Sequence, residues 1–240
     1  MPFTLNDVVP WGRSYDEYVR MFALEDAELG SRILGCADGP ASFNAEATRR
    51  GGRVLSCDPL YQFDAEAVRE RIDATAENVL EQTRANRDTF VWSSIPSVEA
   101  LGVTRMAAMS QFLEDYERGS TEGRYLAAAL PRLPFDAAAF DLALCSHFLF
   151  LYDQRLDAAF HVAATRELCR VAGEVRIFPL LSLDGQRSAC VDAVRDDLTR
   201  AGFLTSIDTV PYEFQRGGNQ MLRIRRAVSR DTDELARPAR

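Results

Sequence analysis

The chain has 240 residues, of which 47 % are hydrophobic, and it carries a formal net charge of −8. This length suits one α/β domain with an elaboration better than two full domains, and the apolar fraction is sufficient for a substantial core. The negative charge argues against a nucleic-acid surface, which needs a basic face, and so favours small-molecule chemistry.

The predicted elements alternate between helices and strands. The first helix, 14–27, begins at Ser14, which forms the pattern of a capping box with Glu17 three residues later. The next strands are predicted, in chain order, at 32–36, 53–57, 123–128, 140–146 and 174–179. The helices that follow the first one are predicted at 41–51, 64–88, 97–118 (closed by Gly119), 154–171 and 185–201. A final hairpin is predicted from strands at 204–213 and 219–226.

Five strands that alternate with helices require a parallel sheet with helices on both faces. The terminal hairpin adds an antiparallel strand. We therefore predict an α/β fold with a doubly wound, mostly parallel seven-stranded sheet and a helical insertion over about 64–118. The predicted domain covers 1–228, with a helical cap at 10–28 and a disordered tail at 229–240.

Location and partners are inferred from composition. The segment 1–11 lacks a basic start followed by a long apolar run, and no stretch approaches the roughly eighteen apolar residues of a spanning helix. The five cysteines are widely spaced and form no C-x-x-C pair. We expect a cytoplasmic protein that binds a small-molecule substrate, no nucleic acid, no membrane and no metal ion.

The most informative motif is the stretch 31–43, S-R-I-L-G-C-A-D-G-P-A-S-F, which joins a strand to a helix through small residues. The next strand ends on Asp58. Such a unit binds a ribose, because small residues let the backbone approach the ligand and the carboxylate accepts the ribose hydroxyls. The alternative for Asp58 is an Asp-Pro turn cap. A nicotinamide dehydrogenase is a weaker hypothesis, because the loop offers only Gly35, Ala37 and Gly39 and lacks the third glycine of G-x-G-x-x-G.

Over roughly 14–226 the chain resembles the class I S-adenosylmethionine-dependent methyltransferases that act on small molecules. The resemblance is carried by the loop 35–41, by Asp58, and by L-P-F-x-x-x-x-F-D over 133–141. It implies a Rossmann-like fold and S-adenosylmethionine as the cofactor. Two positions depart from the family pattern: Gly35 stands where the family has an acid, and alanines stand where another acid often ends the third strand.

The resemblance and the motifs together predict the cofactor-binding residues. These are Arg13, Gly35, Ala37, Asp38, Gly39, Pro40, Asp58, Pro59, Leu60, Ser146 and His147. Arg13 would pair with the methionine carboxylate in bidentate geometry. Asp38 would either face the ammonium group of the cofactor in place of the missing loop acid or cap the following helix.

A second group of residues is predicted to act on the substrate. His147 follows the fourth strand, so it should lie at the ligand edge of the sheet, where a neutral imidazole can accept a proton. The predicted catalytic residues are His147, Tyr15 and Arg216, and the predicted substrate-binding residues are Tyr18, Tyr152, Arg216, Asn219 and Gln220. A structural histidine, a packed amphipathic helix and a solvated turn remain the alternatives.

The predicted function is methyl transfer from S-adenosylmethionine to an O, N or S atom of a small molecule. The alternative is an S-adenosylmethionine-binding protein that transfers another group, or a pseudoenzyme with a regulatory or assembly role. The inserted helices would serve as a lid over the site or as a dimer surface. The second role would make the protein a homodimer.

Overall fold

The structure of the protein is a computed structural model that describes residues 9–227. The predicted tail at 229–240 lies outside the described residues. The same holds for the first eight residues of the segment 1–11, which lacks the sequence pattern of a secretory signal. Over the described range, no helix combines the length and the apolar composition that a membrane span requires.

Within the described residues, a single mixed sheet of seven strands forms the centre of the fold. The strands are β1 (Arg32–Cys36), β2 (Arg53–Cys57), β3 (Tyr125–Leu126), β4 (Phe140–Ser146), β5 (Ala172–Phe178), β6 (Phe203–Thr209) and β7 (Gln220–Arg226). Their order across the sheet is β3-β2-β1-β4-β5-β7-β6. Strand β7 is antiparallel to β5 and β6, while the other pairings are parallel. The predicted fold class is confirmed.

Seven α-helices flank this sheet within the described residues. They are α1 (Tyr15–Met21), α2 (Asp26–Leu29), α3 (Phe43–Arg49), α4 (Ala65–Ala85), α5 (Val98–Thr121), α6 (Ala158–Val171) and α7 (Cys190–Arg200). Helices α4 and α5 lie between β2 and β3 in the chain and pack against each other.

Side-chain alternation along the strands explains the two helical layers. Ile33 and Leu34 are adjacent in β1 and point to opposite faces, as successive strand residues must. Leu34 joins the core cluster that contains residues of α6 and α7, and Ile33 joins the cluster that contains residues of α1 and α3. The inserted helices contribute a third cluster of aromatic and aliphatic side chains around Phe112 and Tyr116.

The strand order reverses between β1 and β4. The chain leaves β1 toward β2 on one side, and β4 returns to pair with the other side of β1. The carboxyl ends of β1 and β4 therefore border the crevice in which open α/β sheets bind ligands. This is the feature of the fold that positions the site.

The predicted first helix is wrong in its length. It ends at Met21, and Ala23 adopts a positive φ of 46° before the short helix α2 begins. The buried Arg176 of β5 donates a hydrogen bond from Nη1 to the carbonyl oxygen of Phe22 at 2.8 Å. A partner from the distant strand thus satisfies the helix end, which no local pattern indicates.

Several other boundaries also differ from the predictions, among them the start of α7 at Cys190 instead of 185 and the end of β6 at Thr209 instead of 213. Gly119 does not close α5, which continues to Thr121. A Cβ at Gly119 would lie 2.4 Å from the ring of Tyr125, so this glycine serves close packing inside the helix. Strand β3 has only two paired residues, because the chain leaves the sheet after Leu126 and turns toward the crevice.

Candidate cofactor and substrate site

A cavity of about 400 Å³ opens at the carboxyl ends of β1 and β4. Its walls come from the segment before and within α1, the loops after β1 and β2, the inserted helices, and the segments that follow β3, β4, β5 and β6. The lining side chains that carry charge, amide, imidazole or hydroxyl groups are Arg13, Tyr18, Asp38, Asp58, Gln62, Thr83, Arg105, Ser146, His147, Tyr152, Tyr212 and Gln215.

The loop after β1 lines the cavity and leaves space above its backbone. Ala37 and Gly39 both have positive φ values, 57° and 54°, and the N–H of Ala37 donates to the carbonyl of Cys57 at 2.9 Å. A Cβ at Gly39 would meet no atom within 4 Å, so the space above this residue is free. The hydroxyl of Tyr61 donates to the carbonyl of Gly39 at 2.7 Å and fixes the loop from the other side.

Asp58 faces this loop from the end of β2. Its Oδ2 accepts the N–H of Gly39 at 2.9 Å, and its Oδ1 accepts the N–H of Leu60 at 2.8 Å. Burial raises the pKa of Asp58, while these two main-chain hydrogen bonds favour the ionised form. The carboxylate caps the turn Pro59–Gln62, which is the alternative role, and it also lines the cavity, where ribose binding remains a prediction. An ionised carboxylate has about four acceptor positions, so two remain for a ligand.

The carboxylate of Asp38 occupies the space above Gly35. A Cβ at Gly35 would lie only 1.8 Å from Oδ2 of Asp38. The hydroxyl of Tyr18 donates to Oδ1 at 2.8 Å, and the hydroxyl of Ser56 donates to Oδ2 at 2.6 Å. Asp38 is not the helix cap that we considered, because the N-cap position of α3 belongs to Ser42.

The environment of Asp38 makes it titrate close to neutrality. Burial raises the pKa of Asp38 to about 6, and the nearby charge of Asp58 acts in the same direction. The hydrogen bonds from Ser56 and Tyr18 lower it without cancelling the effect of burial. Gly35 itself is absent from the cavity lining, so its contribution is the room that it leaves for this carboxylate.

Arg13 lines the cavity just before α1. Its Nη1 donates to the carbonyl of Trp11 at 2.5 Å, and its buried Nε has no hydrogen-bond partner within the described part of the chain. Burial lowers the pKa of Arg13, and the charge of nearby Arg105 lowers it further. Arg13 therefore lines the cavity, and its Nε can still donate a hydrogen bond.

Helix α1 brings one of its two predicted tyrosines to the cavity. Tyr18 lines it through the contact with Asp38, as described above. Tyr15 does not: its ring stacks on Phe43 at 5.7 Å between centroids and lies under the guanidinium of Arg50 at 4.3 Å. The structure thus makes Tyr15 a packing residue between α1 and α3, and the prediction that it is catalytic is corrected.

His147 lies at the carboxyl end of β4 with an unusual backbone. Its φ is 51°, and its N–H donates to the carbonyl of Phe178 at 2.7 Å. Its Nδ1 lies 2.9 Å from the hydroxyl oxygen of Ser146, which also lines the cavity. Burial holds the pKa of His147 well below its ordinary value, and the charges of Arg13 and Arg105 act in the same direction. The imidazole is therefore neutral at physiological pH. Tyr152 joins the same wall, as predicted.

The turn between β6 and β7 lies on the ligand side of the sheet, because β6 runs parallel to β1. Its predicted binding residues, among them Arg216, which was also predicted to be catalytic, nevertheless do not line the cavity. Arg216 donates to the carbonyls of Asp88 and Phe90, each at 3.3 Å, and so joins this turn to the connection between α4 and α5. Asn219 and Gln220 are used in the pairing that closes the hairpin. The wall is formed instead by Phe214, Gln215 and Gly218.

Sequence reasoning missed the buried group formed by Arg105, Glu17 and Tyr212. Nη1 of Arg105 lies 2.5 Å from Oε2 of Glu17, and the hydroxyl of Tyr212 donates to Oε1 at 2.8 Å. Arg105 is 0 % exposed and lines the cavity. A signal was present, because Arg105 falls on the apolar stripe of α5 between Leu101 and Ala108, where a charge needs a buried partner.

The part of the cavity beyond the loops is mostly apolar, with Arg105 as its charged residue. The aliphatic and aromatic side chains that line it on the side of the insertion and of the last two loops are Val79, Phe90, Leu101, Phe178, Leu183 and Phe214. Within residues 9–227, no group of histidine, cysteine, aspartate or glutamate side chains is arranged to hold a metal ion.

Comparison with known proteins shows a relative that is similar over almost its whole length. The chain is 34 % identical over 223 residues to the uncharacterized protein MJ0045 of Methanocaldococcus jannaschii, and the match covers 92 % of this chain and 98 % of that protein. No family model matches the chain.

Two solved structures are similar to this chain in overall fold. The magnesium protoporphyrin IX methyltransferase ChlM of Synechocystis PCC 6803, solved with bound SAM, has 13 % identity and a TM-score of 0.47 over 89 % of this chain and 78 % of that one. A SAM-dependent methyltransferase of Aquifex aeolicus has 13 % identity and a TM-score of 0.42 over 87 % of this chain and 90 % of that one.

Proposed function

We propose that this chain, which belongs to the family of the uncharacterized protein MJ0045, transfers a methyl group from S-adenosylmethionine to a small molecule. Its sheet has the doubly wound fold of class I methyltransferases. The acceptor atom is O, N or S. One observation carries the proposal: at the point where the strand order reverses, Asp58 and the open space above Gly39 form a cradle that suits a ribose.

The ribose would be held by Asp58. Its two remaining acceptor positions match the two hydroxyls of the sugar, and its main-chain hydrogen bonds to Gly39 and Leu60 hold the carboxylate in place before the ligand arrives. The free space above Gly39 allows close approach of the nucleoside. The adenine would lie against the apolar surface of Leu60, Ala128 and Ala129, which line the same part of the cavity and carry no acid.

The methionine end would be held by Asp38 and Arg13. The carboxylate of Asp38 takes the place that Gly35 leaves empty, and it offers a charge of the sign that the cofactor ammonium requires. The buried Nε of Arg13 has no partner among the described residues and suits the cofactor carboxylate. Because Asp38 fills this position, the alternative of a non-methyl transfer or a pseudoenzyme loses the missing acid as its motivation.

When bound, S-adenosylmethionine supplies a methyl group on a positively charged sulfur. The chain would contribute alignment in a closed cavity and exclusion of water. His147 would accept the proton of the acceptor, since its imidazole is neutral and lies at the carboxyl end of β4. An anion bound near Arg13 and Arg105 would offset their charges and raise the basicity of His147.

Calorimetric titration with S-adenosylmethionine and S-adenosylhomocysteine tests the proposal. We expect both to bind, and we expect Asp58→Ala to weaken binding about tenfold or more, because hydrogen bonds to a charged partner contribute roughly 1.5–3 kcal/mol. Asp196→Asn, on the exposed side of α7, is the matched control and should bind normally. Absence of binding of both compounds at millimolar concentration would overturn the proposal.

Methyl transfer is tested separately from binding. Incubation with methyl-labelled cofactor and a pool of small acids, phenols, amines and thiols should leave label on a small molecule. If the cofactor binds and no label moves, the pseudoenzyme alternative is supported and methyl transfer is rejected.

A further inference from the structure

Arg105 lines the cavity and has an unused hydrogen-bonding edge. Its guanidinium is fully buried, and Nη1 is bound to Glu17 at 2.5 Å. Its Nε and Nη2 are also buried, and none of the described residues accepts a hydrogen bond from either. Nε and Nη2 form the edge of a guanidinium that binds a carboxylate in a bidentate manner.

Glu17 and Tyr212, the polar neighbours of Arg105, hydrogen-bond to each other. Glu17 uses Oε1 for the hydroxyl of Tyr212 at 2.8 Å and Oε2 for Arg105 and for the N–H of Ser14 at 2.9 Å. It neutralises the charge of Arg105 and leaves the Nε–Nη2 edge free. Leaving such buried donors unpaired costs about 1–3 kcal/mol each, so a ligand that supplies acceptors there gains this energy.

The surroundings of this edge define the rest of the ligand. Leu101 lies one helical turn before Arg105 and lines the same cavity. Phe90, Phe178 and Phe214 line it as well, from three different segments of the chain. A ligand that fits has an apolar, ring-sized body and one anionic group.

The cofactor does not need Arg105. Its single carboxylate has Arg13, whose buried Nε is also without a partner among the described residues. Two buried guanidinium groups with free donors face one cavity, and their charges influence each other. The second of them is thus available for an acid on the acceptor molecule.

Resting on the proposed methyl transfer, we propose that the acceptor is a small carboxylic acid with an aromatic or similarly apolar body. Its carboxylate binds the Nε–Nη2 edge of Arg105, and its O, N or S atom faces His147 at the sheet edge. The contact to a polar group of the substrate, for which the sequence analysis predicted Arg216, is thereby assigned to Arg105 of helix α5.

Binding to the protein loaded with S-adenosylhomocysteine tests this assignment. The probes are benzoates, phenylacetates and cinnamates that carry a hydroxyl, amino or thiol group, each paired with its carboxamide. We expect at least one acid to bind about tenfold or more tightly than its amide, as loss of a charged hydrogen-bond partner predicts. If no acid binds more tightly than its amide, the inference is overturned.

Arg105→Lys provides the matched variant. Lysine keeps a positive charge beside Glu17 and removes the planar edge, so we expect the acid to lose about tenfold in affinity or more and its amide to be unaffected. Arg166→Lys, in a solvent-exposed ion pair on α6, is the control and should change neither affinity. If the variant fails to fold, as judged by circular dichroism, the acid and amide pairs on the unmodified protein still decide.

The outcomes separate this inference from the proposed function. Failure of S-adenosylhomocysteine to bind rejects the proposed function. Normal binding of S-adenosylhomocysteine with equal affinities for acid and amide rejects the inference alone. A loss of S-adenosylhomocysteine affinity in Arg105→Lys, with the acid affinity unchanged, would mean that Arg105 holds the cofactor carboxylate and would also reject the inference.

Discussion

The carboxylate of Asp38 lies over Gly35, the position at which the methyltransferase pattern has an acid. Gly35 carries no side chain, and the carboxylate of Asp38 returns over it to meet the hydroxyls of Tyr18 and Ser56. Burial raises the pKa of Asp38 to about 6, above the unfolded value near 4. The neutral form thus contributes stability to the unliganded protein at low pH, and this contribution is lost as the pH rises through about 6.

Cofactor binding should show the opposite dependence on pH at this residue. A cationic ammonium prefers ionised Asp38, so affinity for S-adenosylmethionine should rise as the pH increases from 5 to 7. With a pKa near 6, about a tenth of Asp38 is ionised at pH 5, and the expected gain in affinity approaches tenfold. Titration calorimetry of Asp38→Asn should give a weaker and flatter profile. An unchanged profile in this variant would assign the pH dependence to another group.

At the scale of the element, α1 is held by a buried ion pair as well as by its capping box. Glu17 accepts the main-chain N–H of Ser14 and pairs with Arg105 of α5, which is 88 residues away in the chain. Arg105 and the N–H of Ser14 lower the pKa of Glu17 to about 2, despite the opposing effect of burial. Its stabilising contribution is therefore present above the unfolded pKa, near 4, and is lost as the pH falls toward 2.

Removing this pair should destabilise the fold strongly. Glu17→Gln leaves Arg105 buried without its counter-charge, which typically costs about 3–5 kcal/mol. Urea unfolding at neutral pH measures the loss. Glu99→Gln, which breaks the solvent-exposed pair with Arg84 at the start of α5, should cost about 1 kcal/mol or less. Equal losses in the two variants would show that the buried pair has no special role.

Over the whole molecule, the cavity joins segments that are distant in the chain. The cover 9–18, the sheet edge, the inserted helices and the last turn each provide part of the wall. The hydrogen bonds of Arg216 link the last turn to the insertion, and the pair of Glu17 with Arg105 links the insertion to the cover. A ligand that fills the cavity touches all of these segments at once.

Hydrogen exchange should therefore report ligand binding well beyond the two loops that follow β1 and β2. With saturating S-adenosylhomocysteine we expect slower exchange in 13–18 and 101–109 in addition to 36–40 and 58–63, because binding suppresses the local openings that expose these amides. Helix α7 packs on the face of the sheet opposite to α1 and α3. It serves as the internal control, and its exchange should be unaffected. Protection limited to the two loops would show that the cover and the insertion move independently of the ligand.

The sequence by itself determined the framework of the site. Strands β1, β2 and β4 lie where the apolar runs predicted them, and Ala37, Gly39 and Asp58 line the cavity at their ends. These features are readable because strand formation and turn chemistry depend on neighbouring residues, and because parallel strands bring their carboxyl ends to one edge.

Only the tertiary structure decided which side chains line the cavity. It moved Tyr15 into the packing of α1 and turned Arg216 toward the insertion. It also brought Arg105 into the cavity beside Glu17. The physical reason is that the burial and pairing of a charged side chain depend on elements far away in the chain, and no local pattern encodes those partners.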